Sequence, residues 1–297
     1  MLSTIRPLLR PIPLIGLSTG GLIIAATLSR TSKPATMSTT AQPWTVSQYK
    51  PRHTTWPYSP SDFTRQDEST DTSFYSSPRF VTHIDDAAIA SLREYYDTAL
   101  PKQGKILDYC SSWISHYPPS IESAALNGEL KITGLGMNKA ELDANKVLNH
   151  GRLLIDLNVH PNINTALREA HLIGPSESNL LDASTNVVST DYLTQPLEVL
   201  TSLREATKVG GTVHLTISNR CFPTKAMRRW LRVDEEERLG MIGDFLHFAG
   251  WEEIEIVEIS DGTVTQDGAS QGGLSGLMGY LGMGRRDPLW VVRAVKK

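Results

Sequence analysis

The chain has 297 residues, 40% of them hydrophobic and 21% charged, which is ordinary for a globular protein and long enough for one large domain plus extensions. A net charge of −3 carries no nucleic-acid footprint. Cys110 and Cys221 stand far apart with no CxxC pair, which excludes a disulfide framework and a cysteine zinc site, and no metal site is expected.

Residues 1 to 61 contain no Asp or Glu and carry Arg6, Arg10, Arg30 and Lys33 among many Ser and Thr. Residues 1–40 therefore read as a mitochondrial targeting leader. The apolar run Leu14 to Leu28 is broken by Gly16, Ser18, Thr19, Gly20 and Gly21 and is shorter than the roughly 20 residues that comfortably span a bilayer. It reads as cleaved or disordered, with a short membrane anchor as the alternative; Met37 as an alternative start would remove it. Gly16-Leu-Ser-Thr-Gly20 matches the GxSxG pattern, but it lies in the leader, away from the strand-to-helix turn that a nucleophile elbow needs.

Residues 41–73 are polar and rich in Thr, Ser and Pro, and read as a linker or an arm ordered on contact. Phe74 to Asp85 then brings aromatic and basic residues together. Asp85 or Asp86 caps a helix with Ile89, Leu92, Tyr95 or Tyr96 and Leu100 on one side, ended by Pro101. A first strand at Ile106-Leu107 ends in Asp108, and a loop of small polar residues follows until Pro118-Pro119 stops any regular continuation. A strand that delivers a carboxylate into such a loop suits a ligand site at the carboxyl edge of a parallel sheet.

A second strand covers Leu130 to Gly134, with a tight turn at Gly134-Leu-Gly136. Asn138 and Glu141 form a variant capping box for a helix reaching about His150, with Gly151 as its stop. Arg152 to Leu157 is a third strand carrying Asp156, and a fourth lies within Leu180 to Ser189. Thr194 is placed as the cap of a helix with Pro196 in its first turn, ended by Gly210-Gly211. A fifth strand, Thr212 to Ser218, precedes a helix over Glu235 to Phe248, a sixth strand over Glu253 to Ile259 and a last strand over Pro288 to Ala294. Strands alternating with helices predict a doubly wound, mostly parallel α/β sheet. The last two strands, joined by the Gly-rich insertion 261–286, read as an antiparallel pair at the sheet edge. That insertion reads as a hairpin tip, or more sharply as a lid or membrane-touching loop.

Leu107-Asp-Tyr-Cys-Ser-Ser-Trp-Ile-Ser-His116, Gly134-Leu-Gly-Met-Asn138, Asp156-Leu-Asn158, Asp191-Tyr-Leu-Thr-Gln-Pro196 and Ser218-Asn-Arg-Cys-Phe-Pro-Thr-Lys225 together resemble a little-characterised group of class I S-adenosylmethionine-dependent methyltransferase-like proteins. The resemblance covers residues 74–297. It implies a seven-stranded Rossmann-like sheet with an antiparallel last strand, and S-adenosyl-L-methionine as cofactor. It places Asp108 at the acid that opens the family's first motif, with Cys110, Ser112 and Ile114 where glycines are usual. Gly134, Gly136 and Asn138 fall in the second motif, where Gly136 replaces the acid that normally grips the ribose and Asn138 is the nearby substitute. Asp156 and Leu157 match the adenine contact, and Ser189 to Tyr192 the segment facing methyl donor and acceptor.

His116 is a candidate base or acceptor-orienting group. Tyr192 and Arg220 are candidates for the acceptor pocket, Arg220 as anchor for a carboxylate or phosphate, with Asn219 beside it. Trp113 is read as core and Cys110 as a small buried residue. The expected activity is methyl transfer to a small-molecule or lipid acceptor, without nucleic acid, and with membrane contact through the N-terminal segment. The alternative is a non-catalytic scaffold or assembly factor of the same fold. A nicotinamide-dependent oxidoreductase lacks its G-x-G-x-x-G after the first strand. A fusion of residues 1–40 to a fluorescent reporter is expected to reach mitochondria in imaged cells; a uniformly cytosolic signal contradicts the leader reading.

Overall fold

The structure is a computed structural model that describes residues 44–262 and 287–297. The expected leader and nearly all of the Gly-rich insertion lie outside the described residues. In chain order the strands are β1 (Thr45–Gln48), β2 (Gly104–Tyr109), β3 (Leu130–Gly136), β4 (Gly151–Leu154), β5 (Leu181–Val187), β6 (Thr207–Ser218), β7 (Glu252–Ser260) and β8 (Leu289–Val295). The helices are α1 (Asp71–Phe74), α2 (Asp86–Ala99), α3 (Pro119–Leu126), α4 (Lys139–Ala144), α5 (Ile163–Glu169), α6 (Pro196–Ala206) and α7 (Glu235–Phe248).

All eight strands join one sheet in the order β1-β7-β8-β6-β5-β2-β3-β4. The run from β4 to β6 is parallel, and β8 is antiparallel to both neighbours. This is the doubly wound, mostly parallel sheet with an antiparallel last strand read from the sequence. β8 lies between β6 and β7 rather than at an edge, and the eighth strand, β1, pairs with β7. From β2 the chain builds outward through β3 and β4 on one side and through β5 and β6 on the other. The crevice between β2 and β5 is therefore the topological switch point, where such sheets take ligands at their carboxyl ends.

Period-two alternation buries both sheet faces. Leu107, Tyr109, Val213 and Leu215 join one apolar cluster, together with Leu200 and Leu203 of α6 and Ile242 and Phe245 of α7. Ile106, Ile132, Val257 and Val291 join the other, with Leu92 and Tyr96 of α2 and Ile121 of α3. Asp85 caps α2 by accepting from the Ala88 N–H.

Several local expectations give way to through-space partners. Pro119 does not stop regular structure; it opens α3, where a proline's missing N–H costs nothing. α4 ends at Ala144, and Gly151 starts β4 instead of closing a helix. Thr194 is not the cap of α6: its N–H and hydroxyl both donate to Asn158 Oδ1, and Gln195 takes the capping place. α6 ends at Ala206, so Gly210 and Gly211 fall within β6.

Residues 44–73, read as linker or arm, run along this domain. Beyond β1, Tyr49, Arg52 and Tyr58 converge on the fully buried carboxylate of Asp244 in α7, with donor distances of 2.5, 2.6 and 2.5 Å. Trp56 and Phe63 pack their rings against Phe245 one residue on. Removing the carboxylate strands three arm donors around one buried point. Asp244→Ala is expected to cost about 2–3 kcal/mol, below the range for fully buried pairs because Arg52 is partly solvated. Urea unfolding should show that loss, and limited proteolysis should cut faster between residues 44 and 63.

Candidate active site

A cavity of about 410 Å³ opens at the switch point, within the range of small-molecule sites. Its first side is the loop after β2. Asp108, at the carboxyl end of that strand, is buried, and its Oδ2 accepts from the hydroxyls of Ser111 and Ser115 at 2.6 Å each. The Ser111 N–H donates to the Leu135 carbonyl of β3 at 2.7 Å. Asn145, just past α4, donates to Ser115 Oγ and to the Ser112 carbonyl, both at 2.9 Å.

The loop thereby lies flat across β3. A Cβ on Gly136 would sit 2.2 Å from the Ser111 carbonyl oxygen, so only glycine fits there. Cys110 adopts φ 54° and His116 φ 55°. The left-handed turns for which glycine is the usual choice are thus made by other residues, and the loop is tight although its glycines are missing.

The second side comes from β3 and β4. Glu141, in the first turn of α4, is buried and faces the cavity. Its carboxylate accepts from the Arg79 N–H at 2.6 Å and from Ser112 Oγ at 2.7 Å. It does not complete a reciprocal capping box; only the Asn138 side chain caps, accepting from the Glu141 N–H. Asp156 and Leu157 lie in the turn after β4, where Asp156 Oδ1 accepts from the Asn158 N–H at 2.9 Å. Asn158 Nδ2 donates to Asp71 Oδ2 at 2.8 Å and so ties the arm to this turn.

The third side comes from β5 and β6. Val188 holds φ 42°, uncommon for a β-branched residue, with its N–H on the Thr216 carbonyl. Tyr192 faces the cavity, its hydroxyl accepting from the Phe222 N–H at 2.8 Å. Arg220 stands at the mouth, its Nε 2.7 Å from Asp287 Oδ1. The segment Arg79 to Ile84 closes the remaining wall, where Trp113 Nε1 donates to the Val81 carbonyl at 3.1 Å.

Of the residues singled out from the sequence, Asp108, Cys110, Ser112, Gly136, Asp156, Leu157, His116, Tyr192 and Arg220 all line this cavity. Gly134 and Asn138 are outside its lining. Gly134 faces the core, where a Cβ would lie 2.3 Å from Leu148. The Asn138 amide is spent on the α4 cap and on the Tyr75 and Ser76 carbonyls, so it is not a free substitute for a ribose-binding acid. Asn219 is exposed beside the mouth, and Trp113 lines the cavity instead of joining the core. Sequence reasoning missed Arg79, His83 and Phe222 as cavity residues, and saw in Glu141 only a capping partner; Asn158, in the Asp156-Leu-Asn158 motif, does line the cavity. The aromatic and basic cluster at Phe74 to Asp85 was the available signal for Arg79 and His83.

Burial sets the protonation states here. It pushes Asp108 up to about 6, against the pull of the Ser111, Ser115 and Thr185 hydroxyls. It pushes the Cys110 thiol up to about 12, so no thiolate forms at neutral pH. It lowers His116 to about 4, helped by the charges of Arg93 and His83, which leaves the imidazole neutral at pH 7. The Nδ1 of His116 is buried and has no hydrogen-bond partner among the described residues.

No protein-family model matches the sequence, and no curated protein matches it. Among solved structures the chain is similar to phosphoethanolamine N-methyltransferase 2 of Haemonchus contortus in complex with S-adenosyl-L-methionine, at 15% identity and a TM-score of 0.41 over 70% of this chain and 52% of that one. This chain thus spans about half the length of that enzyme. It is also similar to a SAM-dependent methyltransferase from Archaeoglobus fulgidus, at 12% identity and a TM-score of 0.41 over 70% and 93% of the two chains. A third likeness is to an S-adenosylmethionine-dependent methyltransferase from Mesorhizobium loti, at 12% identity and a TM-score of 0.40 over 69% and 98%.

The raised Asp108 carboxyl makes a pH prediction. Its folded form holds a proton that the unfolded chain releases near its ordinary value of 3.8. Its contribution to stability is therefore full below about pH 4 and is lost as pH rises through about 6. Relative to Asp108→Asn, the wild-type chain should lose about 2 kcal/mol between pH 4.5 and 7. Urea unfolding of both proteins across that range checks this; parallel curves would show that Asp108 does not titrate there.

Proposed function

We propose that this cavity binds S-adenosyl-L-methionine and that the chain transfers its methyl group to a small-molecule or lipid acceptor. The observation that carries the reading is the placing of Asp108, Glu141 and Asp156 beyond three neighbouring parallel strands, all lining one cavity at the switch point. A ligand with an ammonium, a sulfonium and two ribose hydroxyls suits such a lining. When bound, it supplies an electrophilic methyl group and leaves as S-adenosylhomocysteine, the C–S electron pair remaining on sulfur.

In this reading Glu141 takes the place of the ribose-binding acid that Gly136 cannot provide. Each of its carboxylate oxygens accepts one protein donor and keeps a second lone pair for a hydroxyl. Asp108 holds the loop against the donor's amino-acid end through Ser111 and Ser115. Leu157 gives the adenine an apolar contact, with Asp156 at the ring's polar edge. His116, whose basicity burial lowers, orients a polar group by hydrogen bonding instead of removing a proton. Tyr192 and Arg220 stand on the acceptor side. Little more than holding donor and acceptor in line is needed, because alignment alone supplies much of the rate.

A second reading, a non-catalytic scaffold or assembly factor, draws support from the engagement of both acceptor-side groups. The Tyr192 hydroxyl is taken by the Phe222 N–H and Arg220 by Asp287. Mitochondrial location, with membrane contact through the N-terminal segment, belongs to the proposal in either case.

Calorimetric titration with S-adenosylhomocysteine should give binding that Glu141→Gln weakens about tenfold, the loss of one charge-assisted hydrogen bond. Incubation of the protein with methyl-labelled donor and a cell extract should then label a small-molecule or lipid fraction. Absence of binding in the wild-type chain defeats the donor reading, whereas binding without labelling in any fraction favours the scaffold.

A further inference from the structure

The cations around the cavity are unequally satisfied. Asp71 at the wall is neutralised from behind by Arg65 at 2.7 Å and by the fully buried Lys225 at 3.2 Å. Arg220 at the mouth is paired with Asp287, and its side chain is 61% exposed. Arg79 is different. Its guanidinium lies over three rings, 4.5 Å from the Phe74 centroid, 5.8 Å from Tyr75 and 5.7 Å from Phe222. Nη2 donates to the Phe74 carbonyl at 2.9 Å, while Nη1 is buried with no hydrogen-bond partner among the described residues. Glu141 accepts from the backbone N–H of Arg79, which leaves the guanidinium's own donors out of that contact.

An unpaired donor inside a protein is costly, and more so when it carries charge. Stacked rings hold the guanidinium plane in place without consuming its N–H groups. Nη1 is thus a charged donor held in place with no protein acceptor among the described residues, a group that an anion satisfies. Phe222 follows β6 and Tyr192 follows β5; their ring centroids lie 6.0 Å apart with the planes inclined at 32°, which puts aromatic surface beside the guanidinium.

The geometry points to Arg79, rather than the mouth residue Arg220, as the anion anchor of the acceptor subsite: the acceptor is a small molecule with a carboxylate or phosphate next to an apolar part. This inference rests on the proposed methyl-transfer reading, which puts the acceptor on the β5 and β6 side of the cavity.

The experiment titrates the full chain with phenyl phosphate, both unloaded and loaded with S-adenosylhomocysteine. Wild-type protein should bind phenyl phosphate in both states. Arg79→Gln should weaken that binding about tenfold or more, and Arg79→Lys should restore part of it, with thermal melting confirming that both variants fold. Phenyl phosphate that binds wild type and Arg79→Gln alike, or fails to bind wild type, overturns the proposal. In parallel, S-adenosylhomocysteine and 5′-methylthioadenosine, which lacks the amino-acid carboxylate, are titrated into wild type and Arg79→Gln. Equal affinities for wild type and variant are expected. Weakening of the former alone would put Arg79 on the donor's carboxylate and overturn the acceptor assignment. If wild type binds neither nucleoside, the donor reading fails, and the titration of unloaded protein still decides the anion site. Arg79-dependent sedimentation with phosphatidate-containing vesicles, without phenyl phosphate binding, would assign the anion to a lipid headgroup and overturn the small-molecule form.

Discussion

One buried carboxylate holds the site together. Asp108 receives two serine hydroxyls from the loop that follows it, and with Asn145 and the Leu135 carbonyl it holds that loop folded back over β3. The fold-back is what presses the Ser111 carbonyl onto Gly136 and carries Ser112 to Glu141. An acid that is partly protonated near neutral pH is well suited to this work, since it anchors hydroxyls without the full desolvation cost of a fixed charge. The cavity's first two sides thus follow from a single strand end.

The remaining wall depends on the arm. β1 covers the open edge of β7, which protects an otherwise unpaired strand, and the Asp244 cluster fixes the chain beyond it. From there Arg65 and Lys225 both meet Asp71, and Asn158 joins Asp71 to the turn after β4. Only then does the chain reach Tyr75 and Arg79. A segment whose composition reads as a linker is therefore part of the wall. Its prolines and serines suit an extended path over a surface, and its few aromatic and charged side chains fasten that path at discrete points.

The sheet was legible because runs such as Ile106-Leu107 stand out as apolar, because Val213, Leu215 and Ile217 alternate with polar residues along β6, and because the first strand ends in a carboxylate. Asp108 and Asp156 could be picked out as strand-end carboxylates without any structure. Other features depend on partners distant in sequence. Nothing near Thr194 says that Asn158 will claim its hydroxyl, and nothing near Pro119 distinguishes a helix start from a helix stop. Glu141 carried two compatible roles, and its choice was made by Ser112 and by the Arg79 amide, 29 and 62 residues away. Arg79 was visible as composition but not as a site, because its meaning comes from Phe222, which only folding brings near.

The missing glycines of the loop find their account in backbone strain. Five non-glycine residues among those described have positive φ, and three of them, Cys110, His116 and Val188, line the cavity. Each left-handed residue costs roughly 1–2 kcal/mol compared with an ordinary conformation. Such positions survive only where their surroundings over-determine them. Here the surroundings can be named: Asp108 and Asn145 hold the loop that contains Cys110 and His116, and the Thr216 carbonyl holds Val188. Glycine would relieve the strain but leave no side chain at those points. Cysteine, histidine and valine keep the same turns and add a thiol, a neutral imidazole and an apolar surface to the cavity. Of the three positions where glycines are usual, Cys110, Ser112 and Ile114, only Cys110 is left-handed, and there a cysteine keeps the turn while adding a side chain to the cavity.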